Sequence, residues 1–269
     1  MRVRIKLIAV CLPLICTASC FAQSHVQAKH ARVELLSQPA PDGALIGIHF
    51  ALEKRWHIYW INPGDSGQPP TFSWTLPAGA SARDIQWPRP ERIQTSPTIA
   101  DYGYKDDVVL LVPLHLPGKN LKGQIALDAK WLICREACLP DHAHLALSLG
   151  SVSAGDRART AQLFARTKTL LPHAWPAAWK VNAESRKDDF VLTIISKRPL
   201  TGAEFFPLDS GQIDNAARQR LTSTSTGAKL VLKKSDLLLK PVPELRGVLV
   251  INNRAYRVCA PLIAQVALK

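Results

Sequence analysis

Short runs in which apolar and polar residues alternate make up most of the chain, and proline or glycine interrupts them. This period of two residues is typical of β-strands with one buried face. Between residues 31 and 149 the predicted strands are ARVELL, ALIGIHFAL, WHIYW, TFSWTL, VVLLVPLHL, QIALDAKWLIC and HLALSL. The stretches NPGDSGQPP (62–70) and WPRPERIQTSP (87–97) are rich in turn residues, and we predict loops there.

The pattern changes once, at GDRARTAQLFARTKTLL (155–171), where apolar residues such as Leu163 and Phe164 have roughly helical spacing and Pro172 ends the run. Strand-like runs then resume as DFVLTIIS, AEFFPL, AKLVLKK, RGVLVIN and AYRVCAPL. The sequence therefore predicts an all-β chain in which a helical connector joins a β-sandwich to a second, smaller β-sandwich.

The first 22 residues have the pattern of an export signal. MRVRIK is cationic, and the apolar run LIAVCLPLICTA is shorter than the about 20 residues that span a bilayer. We predict a signal peptide at 1–22, a first sandwich at 23–150, a connector at 151–175 and a second sandwich at 176–269, with no transmembrane segment. In an alternative interpretation the segment is a lipoprotein signal, and Cys20 carries a lipid anchor.

Export changes what the composition implies. Of six cysteines, Cys134, Cys138 and Cys259 remain in an oxidising compartment, where a close pair forms a disulfide. The formal charge of +13 falls to 13 − 3 = +10 without the three cations of MRVRIK, and the other cations are scattered. We expect no nucleic acid partner after export. No phosphate-binding glycine loop or catalytic triad order stands out, so we also expect no cofactor.

The segment WLICREACLP (131–140) places Cys134 and Cys138 four residues apart. In one extended strand they would be about 13 Å apart, which is beyond disulfide reach. A three-residue hairpin loop at residues 135–137 would bring their Cα atoms within about 5.5 Å. The bond would stabilise the fold by only about 2 kcal/mol, and a hairpin tip is accessible to another thiol. A passive disulfide and a reversible redox pair both remain open on this argument.

A metal site is a further alternative for the same segment. Cys134, Cys138, His142 and His144 follow the pattern C-x3-C-x3-H-x-H, and thiolates with imidazoles suit copper or zinc. The two histidines share one face of the returning strand, but that strand moves away from the hairpin tip.

Aromatic residues crowd the first half of the chain: Trp56, Tyr59, Trp60, Trp74, Trp87, Tyr102, Tyr104 and Trp131. Sugar-binding sandwiches use such rings as stacking platforms, but tryptophan and tyrosine more often fill a sandwich core and the bases of its loops. We predict the second arrangement here.

Three segments resemble, in order and spacing, the periplasmic N-terminal region of the transmembrane thiol:disulfide reductase DsbD, particularly its ScsB-like branch. They are WHIYWINPGDSGQPP (56–70), DYGYKDDVVLLVPL (101–114) and WLICREACLP (131–140). The segments AEFFPLDSGQID (203–214) and LRGVLVIN (245–252) resemble the second half of that region more loosely. The resemblance implies an immunoglobulin-like first sandwich in a periplasmic protein.

The same resemblance implies that Cys134 and Cys138 are a redox pair that works by thiol–disulfide exchange. It makes Tyr102 and Tyr104, in an aromatic-rich loop, candidates for shielding the pair. The expected partners are periplasmic thioredoxin-like or disulfide-isomerase-like proteins and a separate membrane electron donor. The ScsB-like branch is associated with copper stress, so metal binding that involves His142 and His144 could coexist with exchange. A non-catalytic protein-binding module remains the other alternative.

Cys259 needs a separate explanation. Strand alternation would put it on the face of Arg257, opposite Tyr256 and Val258. We predict instead that the strand ends before Cys259 and that the thiol packs inward as a small apolar side chain. The second sandwich is then expected to carry no chemistry of its own.

Overall fold

The computed structural model describes residues 23–119, 122–150 and 153–263 of the chain. These residues contain eighteen β-strands, one α-helix and a short 3-10 turn at Pro117–Lys119, so the predicted all-β class is confirmed. No helix in the described ranges is long and apolar enough to cross a membrane. The predicted signal peptide at 1–22, including Cys20, lies outside the described residues.

The first sandwich consists of eleven strands in two antiparallel sheets. Their bounds are β1 His25–Ala28, β2 Ala31–Ala40, β3 Gly43–Leu52, β4 His57–Gly64, β5 Thr71–Thr75, β6 Ser81–Ala82, β7 Glu91–Ser96, β8 Ile99–Lys105, β9 Asp107–His115, β10 Gln124–Cys134 and β11 Cys138–Ser148. One sheet has the order β1-β2-β3-β9-β6, and the other has the order β11-β10-β4-β8-β7, with β5 paired to β10. Apolar side chains from both sheets meet in one core, including Ile46, Ile48, Ile58 and Ile133.

Strand β7 corrects one sequence prediction, because it lies within the stretch 87–97 that we predicted to be a loop. β7 is an edge strand with β8 as its neighbour, and Pro88 and Pro90 precede it rather than interrupt it. Among its residues only Ile93 is buried. A strand with so little apolar alternation gives almost no periodic pattern to detect.

The predicted helix is present as α1, Ala154–Leu170, and it covers the outer surface of β2 and β9. Ser153 caps its start, with Oγ accepting a hydrogen bond from the Asp156 N–H. Phe164 is fully buried against Leu36, Val109 and Leu111. A Cβ atom at Gly47 would lie 2.5 Å from Phe164 Cε1, so glycine at this position makes room for the ring.

The second sandwich follows the helix and contains seven strands. They are β12 Lys180–Ser185, β13 Asp189–Ile195, β14 Ala203–Pro207, β15 Arg220–Thr224, β16 Gly227–Lys233, β17 Glu244–Ile251 and β18 Arg254–Ile263. The antiparallel sets β14-β17-β18 and β12-β13-β16-β15 enclose a second apolar core and are joined where β12 runs parallel to β18. Phe206, Val248 and Ala255 face the other way and belong to the core of the first sandwich.

A partly buried cluster of charged side chains fastens α1 to the first sandwich. His49 Nδ1 lies 2.7 Å from Glu34 Oε1, and His49 Nε2 lies 2.6 Å from Asp107 Oδ2. Arg159 of α1 donates to both oxygens of Glu34, at 2.7 and 3.1 Å. Burial alone would lower the pKa of His49, but the hydrogen bonds to Asp107 and Glu34 raise it to about 9. The imidazolium is therefore the form that stabilises the cluster at neutral pH.

We expect the stability that His49 provides to depend on pH. Its pKa rises from 6.5 to about 9 on folding, so its contribution is fully present below pH 6.5 and disappears as the pH rises through 9. His49→Gln should therefore lower the free energy of unfolding by about 2 to 3 kcal/mol near pH 6, and by much less near pH 10. Chemical denaturation at a series of pH values measures this difference.

The matched control is His144→Gln, which removes a histidine from an exposed pair with Asp128. Because an exposed pair contributes less than about 1 kcal/mol, we expect little change in stability at any pH. A loss in His49→Gln that is the same at every pH would contradict a charged His49.

Candidate functional site

The cysteine pair lies at the tip of a long hairpin. Strands β10 and β11 pair along their whole length, and residues 135–137 turn the chain back. Cys134 and Cys138 are directly opposite each other, with Cα atoms 4.1 Å apart, and form a disulfide. The predicted three-residue hairpin is therefore confirmed. The two sulfurs differ in environment, since Cys134 is 2% exposed and Cys138 is an exposed residue.

Strand alternation turns Cys134 away from the core. Its neighbour Ile133 is a core residue, so Cys134 lies on the outer face of its sheet. On that face Cys134 pairs with His57 of β4, and Tyr59 of β4 pairs with Gly103 of β8. Cys134, His57, Tyr59 and Asp101 consequently share the outer face, and we call these four residues the outer-face site.

The hydroxyl of Tyr59 is the polar group that touches the disulfide. It donates to Cys134 Sγ at 3.0 Å and lies 3.2 Å from Cys138 Sγ. The side chain is only 1% exposed, and burial raises the pKa of its phenol. The hydroxyl therefore remains protonated at neutral pH and is available as a hydrogen-bond donor to either sulfur.

A loop formed by residues 65–70, which we call the cover loop, lies over Tyr59. Ser66 donates to Asp101 Oδ1 from its N–H at 3.0 Å and from its hydroxyl at 2.9 Å. Gly67 has a φ of +72°, and a Cβ atom there would overlap the Tyr59 ring. The loop thus contacts the ring closely and excludes solvent from an outer face that would otherwise be exposed.

Asp101 and His57 form the polar floor beneath the cover loop. Burial raises the pKa of Asp101, an effect that the hydrogen bonds from Ser66 partly offset. Burial and then the positive charge of Lys105 lower the pKa of His57 to about 4, so its imidazole is neutral. His57 Nε2 lies 3.8 Å from Asp101 Oδ2, and no described group forms a hydrogen bond with this nitrogen.

A stack of rings supports the hairpin turn from its other side. The guanidinium of Arg135 lies 5.1 Å from the centre of the Trp56 ring, and Trp56 stacks on His30 at 3.9 Å. Glu136, at the tip, lies within ion-pair distance of Arg55 and Arg135. These contacts fix the turn while the Cys138 residue stays open to solvent.

Tyr102 and Tyr104 do not lie in a loop, which corrects the prediction made from the resemblance. They belong to strand β8, and both side chains are buried in the core. Their hydroxyls donate to Asn215 Oδ1 and to the Pro88 carbonyl, respectively. Alternation explains the difference, because Asp101 and Gly103 take the outer face and leave the tyrosines on the inner one.

The four residues proposed as alternative metal ligands are not brought together. His142 pairs with Lys130 and His144 with Asp128, four and six residues along β11 from Cys138. Four residues of strand correspond to about 13 Å. His144 Nδ1 instead lies 2.8 Å from Asp128 Oδ1. Within the described part of the chain, no three His, Cys, Asp or Glu side chains are grouped to hold a metal ion.

The prediction that Cys259 packs inward is wrong. β18 continues through this residue to Ile263, so the alternation of side chains persists and Cys259 is exposed. Its thiol donates to Glu244 Oε2 at 2.8 Å on the neighbouring strand. The hydrogen bond to Glu244 and then burial raise the pKa of the thiol, which favours its unreactive protonated form.

The site residues predicted from the sequence did not include Tyr59, Ser66 or Asp101. The alternation in HIYW does contain a usable signal, since it separates His57 and Tyr59 from the core residues Ile58 and Trp60. The contacts of Ser66 with Asp101 join residues 35 positions apart, and no local pattern reports them.

Comparison with known proteins gives one family and one fold. Residues 22–149 match the family model described as thiol:disulfide interchange protein DsbD, N-terminal. The chain is also similar to the crystal structure of the N-terminal periplasmic domain of ScsB from Proteus mirabilis, with a TM-score of 0.67 and 19% identity. That similarity covers 87% of this chain and 93% of the other. At this identity it supports the fold alone. A search of curated proteins found no match.

We expect Gly67→Ala to be more destabilising than Gly211→Ala. Both glycines have a φ of +72°, so both substitutions carry the same backbone penalty of about 1 kcal/mol. Only at Gly67 does the new methyl group meet a ring, whereas no atom lies within 4 Å at Gly211. The overlap should add about 1 to 3 kcal/mol to the loss at Gly67. Equal losses in denaturant unfolding would contradict tight contact between the cover loop and Tyr59.

Proposed function

From the match of residues 22–149 to the family model of the DsbD N-terminal region, we propose that the chain is a periplasmic thiol–disulfide exchange protein with Cys134 and Cys138 as its reacting pair. One observation carries the proposal. The disulfide joins an exposed residue, Cys138, to a buried one, Cys134, whose sulfur accepts a hydrogen bond from Tyr59. This asymmetry gives the two sulfurs different roles.

In the first step a partner thiolate attacks Cys138 Sγ. A mixed disulfide forms between the partner and Cys138, the Cys134–Cys138 bond breaks, and Cys134 leaves as a thiolate. The leaving sulfur is buried, and a buried anion needs a hydrogen bond to be stable. The Tyr59 hydroxyl already lies 3.0 Å from it and supplies that bond without rearrangement.

In the second step another thiol of the partner attacks its own sulfur in the mixed disulfide. The partner leaves as a disulfide, Cys138 is released as a thiolate, and two electrons have passed to the pair. The reverse sequence reduces a partner disulfide, with Cys138 attacking and Cys134 resolving the mixed species. Exchange therefore needs no metal or bound cofactor in either direction.

The partners follow from the chemistry of the pair and from the family. We propose that a separate membrane protein supplies the electrons and that periplasmic thioredoxin-like or disulfide-isomerase-like proteins receive them. We also propose that residues 23–150 perform the exchange. The exposed hairpin tip, with Arg55, Arg135 and Glu136 beside Cys138, is the surface that such partners must approach.

We expect the cysteine variants to separate the two roles. In a Cys259→Ser background, reduced protein should react with an alkylating reagent at Cys138 before Cys134, because Cys138 is exposed. With a thioredoxin-like protein, Cys134→Ser should accumulate a mixed disulfide through Cys138, whereas Cys138→Ser should not. Non-reducing electrophoresis and mass spectrometry identify the species.

Two results would contradict the proposed function. One is a Cys134–Cys138 bond that resists a reductant of thioredoxin strength. The other is preferential trapping of partners through Cys134. Cys259→Ser alone is the control, since the exposed thiol of Cys259 can otherwise form mixed disulfides of its own.

We expect Tyr59→Phe to slow the opening of the disulfide by a small thiol by about tenfold, because a hydrogen bond to a charged leaving group is lost. The aromatic ring remains, so the packing of the cover loop should persist. The second-order rate of reduction by dithiothreitol, measured at constant pH, tests this effect. A rate equal to or faster than that of the unsubstituted protein would exclude a role for the hydroxyl in exchange.

A further inference from the structure

The cover loop is held by the second sandwich as well as by its own strand neighbours. At one end, Asn62 of β4 donates from Nδ2 to the Pro207 carbonyl of the second sandwich at 2.8 Å. Within the loop, Asp65 Oδ1 accepts a hydrogen bond from Asn215 Nδ2 at 2.7 Å. Neither contact takes part in the exchange chemistry proposed above, so the interface needs an explanation of its own.

Asn215 is held by two further hydrogen bonds, and its neighbour Ala216 accepts a third. Its Oδ1 accepts from the Tyr102 hydroxyl at 2.8 Å, and its backbone carbonyl accepts from Arg92 Nε at 2.8 Å. Arg92 also donates to the adjacent Ala216 carbonyl. Asn215 is buried, so these bonds are protected from water. Since Oδ1 is occupied by Tyr102, the amide can present only its N–H group to Asp65.

Asp65 connects Asn215 to the outer-face site. Its second oxygen, Oδ2, accepts from the Ala100 N–H at 2.8 Å, so the carboxylate links β8 to the second sandwich. The next two residues are Ser66, which binds Asp101, and Gly67, which contacts the Tyr59 ring. The consecutive residues Asp65, Ser66 and Gly67 of the cover loop therefore connect Asn215 to the Tyr59 ring, whose hydroxyl contacts the two sulfurs.

The surface that presents Asn215 is itself anchored by apolar packing. Phe206 of the second sandwich meets the Tyr102 ring edge-on, with ring centres 5.3 Å apart. Phe206 and Val248 are buried in the core of the first sandwich. Asn215 lies in the segment between β14 and β15, and its partner Tyr102 is the same ring that Phe206 packs against.

We propose that the second sandwich is a positioning element for the exchange site, and that Asn215 and Asp65 hold the cover loop so that the Tyr59 hydroxyl stays on the sulfurs. Asn215 and Asp65 are positioning residues, since neither touches sulfur. The inference rests on the proposed function for its biological meaning. In physical terms it concerns two quantities only: the rate at which the disulfide opens and the pKa of the Cys134 thiol.

The hydrogen-bond pattern allows an exchange of the two side chains. In Asn215→Asp alone, two carboxylates face each other at positions 65 and 215. In Asp65→Asn alone, the new amide N–H group faces another N–H donor, either that of Asn215 or that of Ala100. In the double variant, the amide introduced at position 65 can accept from the Ala100 N–H and donate to the carboxylate introduced at position 215. That carboxylate can still accept from Tyr102. The double variant therefore keeps every bond and the same net charge.

The test measures disulfide opening by dithiothreitol in the full chain with Cys259→Ser. We expect each single variant to open about three- to tenfold more slowly, in the same direction as Tyr59→Phe, because one hydrogen bond that holds the loop is lost. The double variant should return to the original rate. In the reduced protein, both single variants should also raise the pKa of the Cys134 thiol, read from the pH dependence of alkylation, and the double variant should restore it.

The opening rates and the thiol pKa values distinguish a positioning role from a purely electrostatic effect and from simple shielding. The two single variants change the net charge in opposite directions, so opposite shifts of the thiol pKa would indicate electrostatics alone and overturn the proposal. Faster opening would also overturn it, since the loop would then act as a shield. A double variant as slow as the single variants would overturn it as well.

Arg89→Ala is the interface control. It removes a bond from Nη1 to the Asn253 carbonyl, which joins the sandwiches away from the cover loop. Its rate of opening should be unchanged, and a loss equal to that of Asn215→Asp would show a general loosening and overturn the proposal. If dithiothreitol opens the pair as expected but thioredoxin-like proteins do not, the proposed function fails while the positioning role stands.

Discussion

The antiparallel register of β10 is the constraint on which the site depends. It sets Cys134 opposite Cys138 on one side and opposite His57 on the other. Because side chains alternate, the same register sends Ile133 into the core and Cys134 to the outer face. A slip by one residue would turn the sulfur into the core and Ile133 to the outer face. Apolar packing on the inner face therefore fixes the chemistry on the outer one.

The outer face differs from the exposed face of an ordinary sandwich because a polar cluster is buried on it. Asp101 and His57 are almost fully removed from solvent, and a buried carboxylate is tolerated only when hydrogen bonds satisfy it. Ser66 supplies those bonds from the cover loop. The cover loop is thus bound to Asp101 by hydrogen bonds from Ser66 and to the Tyr59 ring by the close approach of Gly67. Its third attachment, through Asn215, comes from a different part of the fold.

The sequence predicts the features that local patterns encode. Apolar alternation identifies most strands, and the four-residue spacing of Cys134 and Cys138 together with strand geometry predicts the hairpin. Features set by long-range contacts were missed, since Asp65 and Asn215 are 150 positions apart and Tyr59 meets Cys134 across 75. The error at Cys259 has another cause. The alternation was visible, but the end of the strand was misjudged.

The apolar contact between the sandwiches has a consequence for how the protein can be divided. Phe206, Val248 and Ala255 are part of the same core as Ile58 and Trp60. A gene truncated after the helix would leave their contact surface, including the Tyr102 ring, open to water as an aggregation-prone patch. The first sandwich is therefore not an autonomous module that can be excised and recombined freely.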